Sequence, residues 1–306
     1  MKRILYSLGL VLLAVSAQAQ PHRYKNLVLE GGGIRGFAYT GAFQVLDSLQ
    51  ILQQIERVGG TSAGAIQATL LAIGYTPEEI MDIALEVPLK KLNDGGIFRG
   101  MNRLRKHFGF YKGEKLAAWI EGLIARKTGN GNITFAELYR DRALKGYKEL
   151  YITGTDLTYQ CMRVFSHESY PGMRIKDAVR ISASIPLYFG AVLIDDSGKV
   201  YKEPDPSKRM HVMADGAVLS NYPIFLFDST KYLSGVTIPV NQYTVNPETL
   251  GLLMEMPEMI EHRQHDPGTY PLPINSMREY VKALYMTLID KSNPDGRDSA
   301  AIRRTI

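Results

Sequence analysis

The sequence predicts an α/β fold, a mostly parallel sheet with helices over both faces, and three observations carry that prediction. Short apolar runs alternate with helical patterns, the turns between them are brief and glycine-rich, and no linker, repeat or low-complexity tract divides the chain of 306 residues. With 45% apolar and 22% charged residues the chain has the composition of a globular protein, long enough to bury a core without disulfides. Cys161 is its only cysteine, so no internal bridge can form.

Asn26 to Glu30 (Asn-Leu-Val-Leu-Glu) reads as a strand running into three glycines. A helical pattern follows through Ala38, Ala42, Val45, Leu46 and Leu49. Ile55 to Val58 reads as a second strand that ends in glycine, and Ala63 to Ile73 as a helix closed by Gly74. Thr76-Pro77-Glu78-Glu79 opens the next helix with an N-cap, a proline at the first position and a capping-box Glu. Lys112 to Lys127 is helical, and Thr134 to Glu137 starts another helix in the same way. Strands are expected at Glu149–Thr155 and at 162–165, then a helix from Ile175 that Pro186 stops. Ala191–Ile194 and Lys199–Tyr201 flank Asp195-Asp196-Ser197-Gly198 as a hairpin, and His211–Ala214 is a strand leading to Asp215-Gly216. Gln264 to Pro273 is a proline-rich loop, and Ser276 with Glu279 starts a last helix through Val281, Leu284 and Leu288.

Residues 1–19 read as an address. Lys2 and Arg3 precede an apolar run from Ile4 to Val15, and Ala17-Gln18-Ala19 has the form that signal peptidases cut. The run is too short to span a bilayer as a helix, and no cysteine follows it to carry a lipid anchor. A mature domain of residues 20–306 is expected, exported to the periplasm, the outer membrane or the medium. Loss of Lys2 and Arg3 brings the formal charge of +5 down to +3, too small to argue for nucleic acid. The chain ends on Arg303-Arg304-Thr305-Ile306 without a terminal cap or tail, the form of a truncated reading frame.

Gly60-Thr61-Ser62-Ala63-Gly64 lies at a strand-to-helix junction. A serine on such a turn has its hydroxyl raised above the sheet edge, and flanking glycines let strand and helix approach. The helix N-terminus behind it favours developing negative charge. Ser62 is therefore a candidate nucleophile, with a plain tight turn as the alternative. Gly31-Gly32-Gly33-Ile34-Arg35-Gly36 also fits a dinucleotide fingerprint. That fingerprint wants an acidic residue at the end of the second strand, where this chain has Gly59-Gly60-Thr61-Ser62. Loop and serine thus share one sheet edge, and backbone N–H groups of Gly32 and Gly33 would face an acyl oxyanion. Arg35 either neutralises charge nearby or caps a carboxylate.

A serine needs a base. The six histidines are His22, His107, His167, His211, His262 and His265, and none closes a late strand. His262 and His265 lack a third ligand for a metal, and no metal or cofactor is expected. Asp215, ending a short strand and followed by Gly216 and Ala217, is the better candidate; its alternative is an Asp-Gly turn.

Together, Glu30 to Gly36, Gly60 to Gly64 and Asp215-Gly216-Ala217 resemble the motifs of the patatin-like phospholipase family, in the same order. Ser182-Ala183-Ser184-Ile185-Pro186 resembles its segment before the catalytic Asp, and Asn221-Tyr222-Pro223 its asparagine and proline just after. The resemblance covers residues 27–223. It implies a three-layer α/β/α sandwich and a Ser–Asp dyad that works without histidine. Ser62 would be the nucleophile and Asp215 the base, with Gly31, Gly32, Gly33 and Ile34 around the oxyanion. Ala217 stands where many relatives have a second glycine, a change the family tolerates. The implied activity is hydrolysis of lipid acyl esters through an acyl-enzyme. An acyltransferase would share that intermediate; a nucleotide-binding protein or a non-catalytic relative are the other classes.

From Gly95 to Gly113 there is no acidic residue, while Arg99, Arg103, Arg105, Lys106 and Lys112 are basic. Ile97, Met101, Leu104 and Phe108 share a helical stripe. Such a segment either lies on an anionic lipid surface or packs its stripe on the core with a solvated basic face.

Overall fold

Leu27, Val28 and Leu29 are fully buried in β1 (Asn26–Leu29), and their alternation shows how the molecule is layered. Leu27 and Leu29 point into the large hydrophobic cluster on one face, with Leu150 and Ile152. Val28 and Tyr151 point into a second cluster with Tyr222 and Phe227. Period-two side chains that find apolar partners on both faces mean a sheet covered on both sides.

The structure is a computed structural model that describes residues 24–95, 97–236, 241–255 and 299–306, and within 256–298 residues 260–262, 265, 271, 273–276, 279–280 and 283–287. The expected leader, Gln20 and most of the proline-rich loop lie outside the described residues.

The remaining strands are β2 (Arg57–Gly60), β3 (Gly109–Tyr111), β4 (Glu149–Asp156), β5 (Cys161–Phe165), β6 (Leu187–Phe189), β7 (Val192–Asp195), β8 (Val200–Tyr201), β9 (Met210–Asp215) and β10 (Thr249–Leu252). The main sheet runs β10-β1-β2-β4-β9-β7-β8, with β5 also on β4. It is mixed. β10, β1, β2 and β4 are parallel, as the crossover pattern predicts, whereas β9 joins β4 antiparallel and β7, β8 and β5 continue so. Past β4 the connections become hairpins and returns, which place neighbours antiparallel without a crossover helix. β3 and β6 form a small parallel pair apart from the main sheet.

Most boundaries shift by a residue or two from the sequence reading, and two elements depart further. β2 starts at Arg57 rather than Ile55 and includes Gly59 and Gly60, which were expected to end it. A side chain at Gly59 would meet Leu226 Cδ1 at 2.7 Å, so glycine here serves a crowded strand and not a turn. β10, the edge strand beside β1, carries no periodic signal that foretells it. The C-terminal residues reach it: Gly251 N–H donates to Arg304 O and Ile306 N–H to Gly251 O.

The α-helices with bounds among the described residues are α1 (Tyr39–Ser48), α2 (Ala63–Ala72), α3 (Pro77–Glu86), α4 (Leu89–Leu92), α5 (Ile97–His107), α6 (Glu114–Thr128), α7 (Phe135–Lys145), α8 (Ile175–Ser182) and α9 (Ser299–Ile302), and residues 279–280 and 283–287 are also helical, where the last helix was expected. The capping boxes expected at Thr76/Glu79 and Thr134/Glu137 are both formed. At Ser276 the hydroxyl accepts the Glu279 N–H at 3.2 Å. Among the described residues no helix is long and apolar enough to cross a membrane.

Candidate active site

Ser62 sits between β2 and α2 at φ 53° and ψ −118°, a backbone conformation an L-residue holds only when its surroundings impose it. The close approach of strand and helix imposes it here. A Cβ on Gly64 would lie 2.4 Å from Leu29 O and 2.6 Å from Glu30 O, and one on Gly60 2.7 Å from the Gly64 carbonyl. Ser62 donates its backbone N–H to Ser182 Oγ at 2.8 Å, and Thr61 Oγ1 bonds Thr153 Oγ1 at 2.6 Å.

Asp215 closes β9 and is fully buried. Its Oδ2 accepts the Ser62 hydroxyl at 2.9 Å, and its Oδ1 accepts the Ala217 N–H at 2.9 Å. Burial pushes the carboxyl up to about 7, against these hydrogen bonds and one from Tyr285, which lower it. Gly216 lets the chain turn against β4, since a side chain there would meet Thr153 Oγ1 at 2.5 Å.

Glycines 31 to 36 lie against the serine: a Cβ on Gly31 would stand 3.2 Å from that of Ser62. The Gly31 N–H is occupied, donating to Asn221 O at 2.9 Å, so Gly31 has no donor to offer an oxyanion, contrary to the four-residue set expected from sequence. Gly32, Gly33 and Ile34 lead into a 3-10 turn over Gly33–Ala38, whose first N–H groups have no partner within the turn. Asn221 also donates through Nδ2 to Gly31 O at 3.0 Å and to Glu30 Oε1 at 2.9 Å. The Glu30 carboxyl, pushed up to about 7 by burial, accepts the Met254 N–H as well. Among the described residues Arg35 caps no carboxylate: it makes long hydrogen bonds to Gly32 O at 3.4 Å and Met254 O at 3.5 Å. Gly36 packs on Ala63, with only 2.9 Å between its would-be Cβ and that of Ala63.

A cavity of about 560 Å³ opens at Ser62, with Gly33, Ile34 and Gly36 on its rim. Its walls are apolar, from Ile66, Leu70, Ile80, Ile83, Leu116 and Trp119. This is the size and character of a small-molecule site.

Among the described residues no histidine takes part in the hydrogen bonds of Ser62 or Asp215. His211 is buried between Asp156 at 2.7 Å and Asp196 at 2.9 Å, and His167 stacks on Tyr139. Among the described residues no three His, Cys, Asp or Glu side chains are grouped to hold a metal.

Three contributors were not visible in the sequence. Ser182 anchors the Ser62 backbone. Thr155 Oγ1 holds the Asp215 carbonyl at 2.9 Å. Tyr285 donates its hydroxyl to Asp215 Oδ2 at 3.4 Å, and burial followed by the Asp215 charge keeps that phenol protonated. Only the Ser182 segment carried any signal, through its place before Pro186.

The family model described as patatin-like phospholipase matches residues 27–228. An uncharacterised protein of Acanthamoeba polyphaga mimivirus is 34% identical over 267 residues, 86% of this chain and 75% of its own length. A protein of Invertebrate iridescent virus 6 named a probable lipid hydrolase is 31% identical over 216 residues, 68% of this chain and 65% of its own. The solved structure of VipD from Legionella pneumophila shares the fold, with a TM-score of 0.51 at 17% identity, over 88% of this chain and 67% of that one. The family match spans all three motifs and both strand ends that bring Ser62 and Asp215 together, and on that ground the chain belongs to the patatin-like phospholipase family.

Proposed function

We propose that this protein is a serine acyl-ester hydrolase of lipids, a phospholipase A or related lipid acyl hydrolase, working through Ser62 and Asp215. Membership of the patatin-like phospholipase family supports lipid hydrolase activity. The observation that carries the finer reading is the 2.9 Å hydrogen bond from Ser62 Oγ to a fully buried carboxylate whose pKa is about 7. A base serves best when its pKa lies near the working pH.

The acyl chain lies along the apolar cavity with its ester carbonyl at Ser62. Asp215 Oδ2 takes the hydroxyl proton as Oγ attacks, and the N–H groups of Gly32, Gly33 and Ile34 bind the oxyanion. Collapse breaks the ester C–O bond; the leaving alcohol takes the proton from Asp215, and the acyl group stays on Ser62. Asp215 then draws a proton from water, hydroxide adds to the acyl carbon, and the fatty acid leaves as the proton returns to Ser62. Export through residues 1–19 belongs to the same proposal, with Gln20 as the first residue of the mature protein.

Fluorophosphonate labelling beside a short-chain p-nitrophenyl ester assay tests the dyad. Wild type labels and turns over; Ser62→Ala does neither, and Asp215→Asn loses at least a hundredfold. Labelling that persists in Ser62→Ala overturns the assignment. Product analysis with an added alcohol separates hydrolysis from transfer, since an acyltransferase yields mainly the new ester.

A further inference from the structure

Phe108 and Leu187 are both large, apolar and in the left-handed backbone region, at φ 60° and φ 66°. Side chains with branched or ring carbons rarely adopt it, and where they do the surroundings hold them there. The two stand side by side. Gly109, which follows Phe108, pairs with Leu187 across β3 and β6. Despite the strained backbone neither is buried, with 54% of Phe108 and 56% of Leu187 exposed.

The support beneath them is rigid. Buried Arg180 of α8 donates to Lys112 O at 2.7 Å, Gly113 O at 2.9 Å and Gly190 O at 3.0 Å, tying the ends of both small strands to the core. Arg103 of α5 donates to Phe110 O, so it braces this sheet and is not a free surface cation. Ala191 N–H donates to His107 O at 3.0 Å. Strain therefore holds two apolar side chains outward on a fixed edge, a conformation that packing alone does not require.

Position and charge say what the edge meets. Ile185, Tyr188 and Phe189, on and beside β6, line the cavity that opens at Ser62, so the edge stands at its mouth. Met101, 64% exposed, extends the apolar patch, and Arg105 and Lys106 are exposed on the same helix end. No acidic residue occurs from 95 to 113 or from 178 to 194. The stripe expected either on the core or on lipid is only part-buried at Leu104, and Met101 and Phe108 face water.

We infer that the Phe108–Leu187 edge, flanked by Met101, Arg105 and Lys106, docks the protein on an anionic lipid surface with the cavity mouth towards it. Apolar side chains enter the headgroup boundary while the cations meet lipid phosphates. The purpose of this surface rests on the lipid-hydrolase reading; its test reads binding and does not.

Sedimentation with phosphatidylcholine vesicles, with and without phosphatidylglycerol, measures the docking in the full chain carrying Ser62→Ala. Residues 1–19 are common to every arm. Phe108→Asn and Leu187→Asn remove the apolar group with a residue that tolerates the left-handed region. Each is expected to weaken binding about tenfold while leaving the melting temperature unchanged or raised. Arg105→Glu with Lys106→Glu abolishes the preference for phosphatidylglycerol. Made instead in the protein that keeps Ser62, none of these changes affects turnover of a soluble short ester. Binding that is equal in the Asn variants and the parent overturns the inference, as does a parent that ignores vesicles. Vesicle binding without ester turnover leaves the docking surface standing and removes the hydrolase reading instead.

Discussion

Replacing Asp215 by asparagine is expected to lower activity at least a hundredfold and to stabilise the protein, and the second effect has a pH dependence that the structure fixes. Burial raises the carboxyl from 3.8 to about 7. Between those values the folded protein keeps a proton that the unfolded chain has released, so raising the pH favours unfolding. The cost is about 1.6 kcal/mol at pH 5 and grows to about 4 kcal/mol by pH 8, where it levels off. Asparagine can accept the Ala217 N–H through its oxygen and carries no charge to bury, so Asp215→Asn escapes that slope. Glu30, the other buried carboxyl near 7, is present in both proteins and cancels in the difference. Urea unfolding followed by Trp119, the only tryptophan, at pH 5 to 8 and constant ionic strength measures it. The variant gains about 2.5 kcal/mol over wild type between pH 5 and pH 8. A difference that stays flat across that range refutes the raised carboxyl, and with it the reason Asp215 can act as base near neutrality.

Two further outcomes follow from the site's surroundings. Tyr285→Phe removes a hydrogen bond that lowers the Asp215 pKa, so the acid limb of kcat/KM moves up by about half a pH unit, and a limb that stays in place denies Tyr285 its contact with the carboxylate. Gly64→Ala sets a methyl group 2.4 Å from Leu29 O, where backbone cannot yield, and is expected to cost roughly 3 kcal/mol in urea unfolding along with ester turnover, whereas Gly41→Ala in α1 meets nothing within 4 Å and is neutral or mildly stabilising; equal stability of the two variants refutes the tight elbow.

Local constraints made much of the site legible. Glycine at 60 and 64 announces a backbone approach before any coordinates exist, and Thr76 or Thr134 followed by Glu announces a helix start. Asp215 was readable because a strand-closing acid followed by glycine, taken with Ser62 and the glycine loop, has few other uses. What stayed hidden depends on elements meeting from far along the chain. Nothing in Thr249–Leu252 marks it as the neighbour of β1, because an edge strand of four residues has no period to detect. Tyr285 lies 70 positions beyond Asp215, and a lone tyrosine in a helix looks like core. The engaged Gly31 N–H was hidden for the same reason, since its acceptor is the carbonyl of Asn221.

The mixed sheet explains how serine and aspartate come together without histidine. β2 runs parallel to β4 and ends level with Ile152, while β9 runs antiparallel along the same edge and ends level with Gly154, the opposite edge being held by β5. Two strands travelling in opposite directions along one edge of β4 thus bring their last residues end to end, two positions apart. β4 then fixes both arrivals with side chains two residues apart, which a strand places on one face. Thr153 holds Thr61, the neighbour of Ser62, and Thr155 holds the carbonyl of Asp215. Both threonines are buried, and their branched side chains have little rotamer freedom to lose. Serine and carboxylate are therefore set at 2.9 Å by backbone and by β4. An imidazole reaching between them would need a longer gap than this arrangement leaves, so the direct Ser–Asp contact is a consequence of the β2–β4–β9 register.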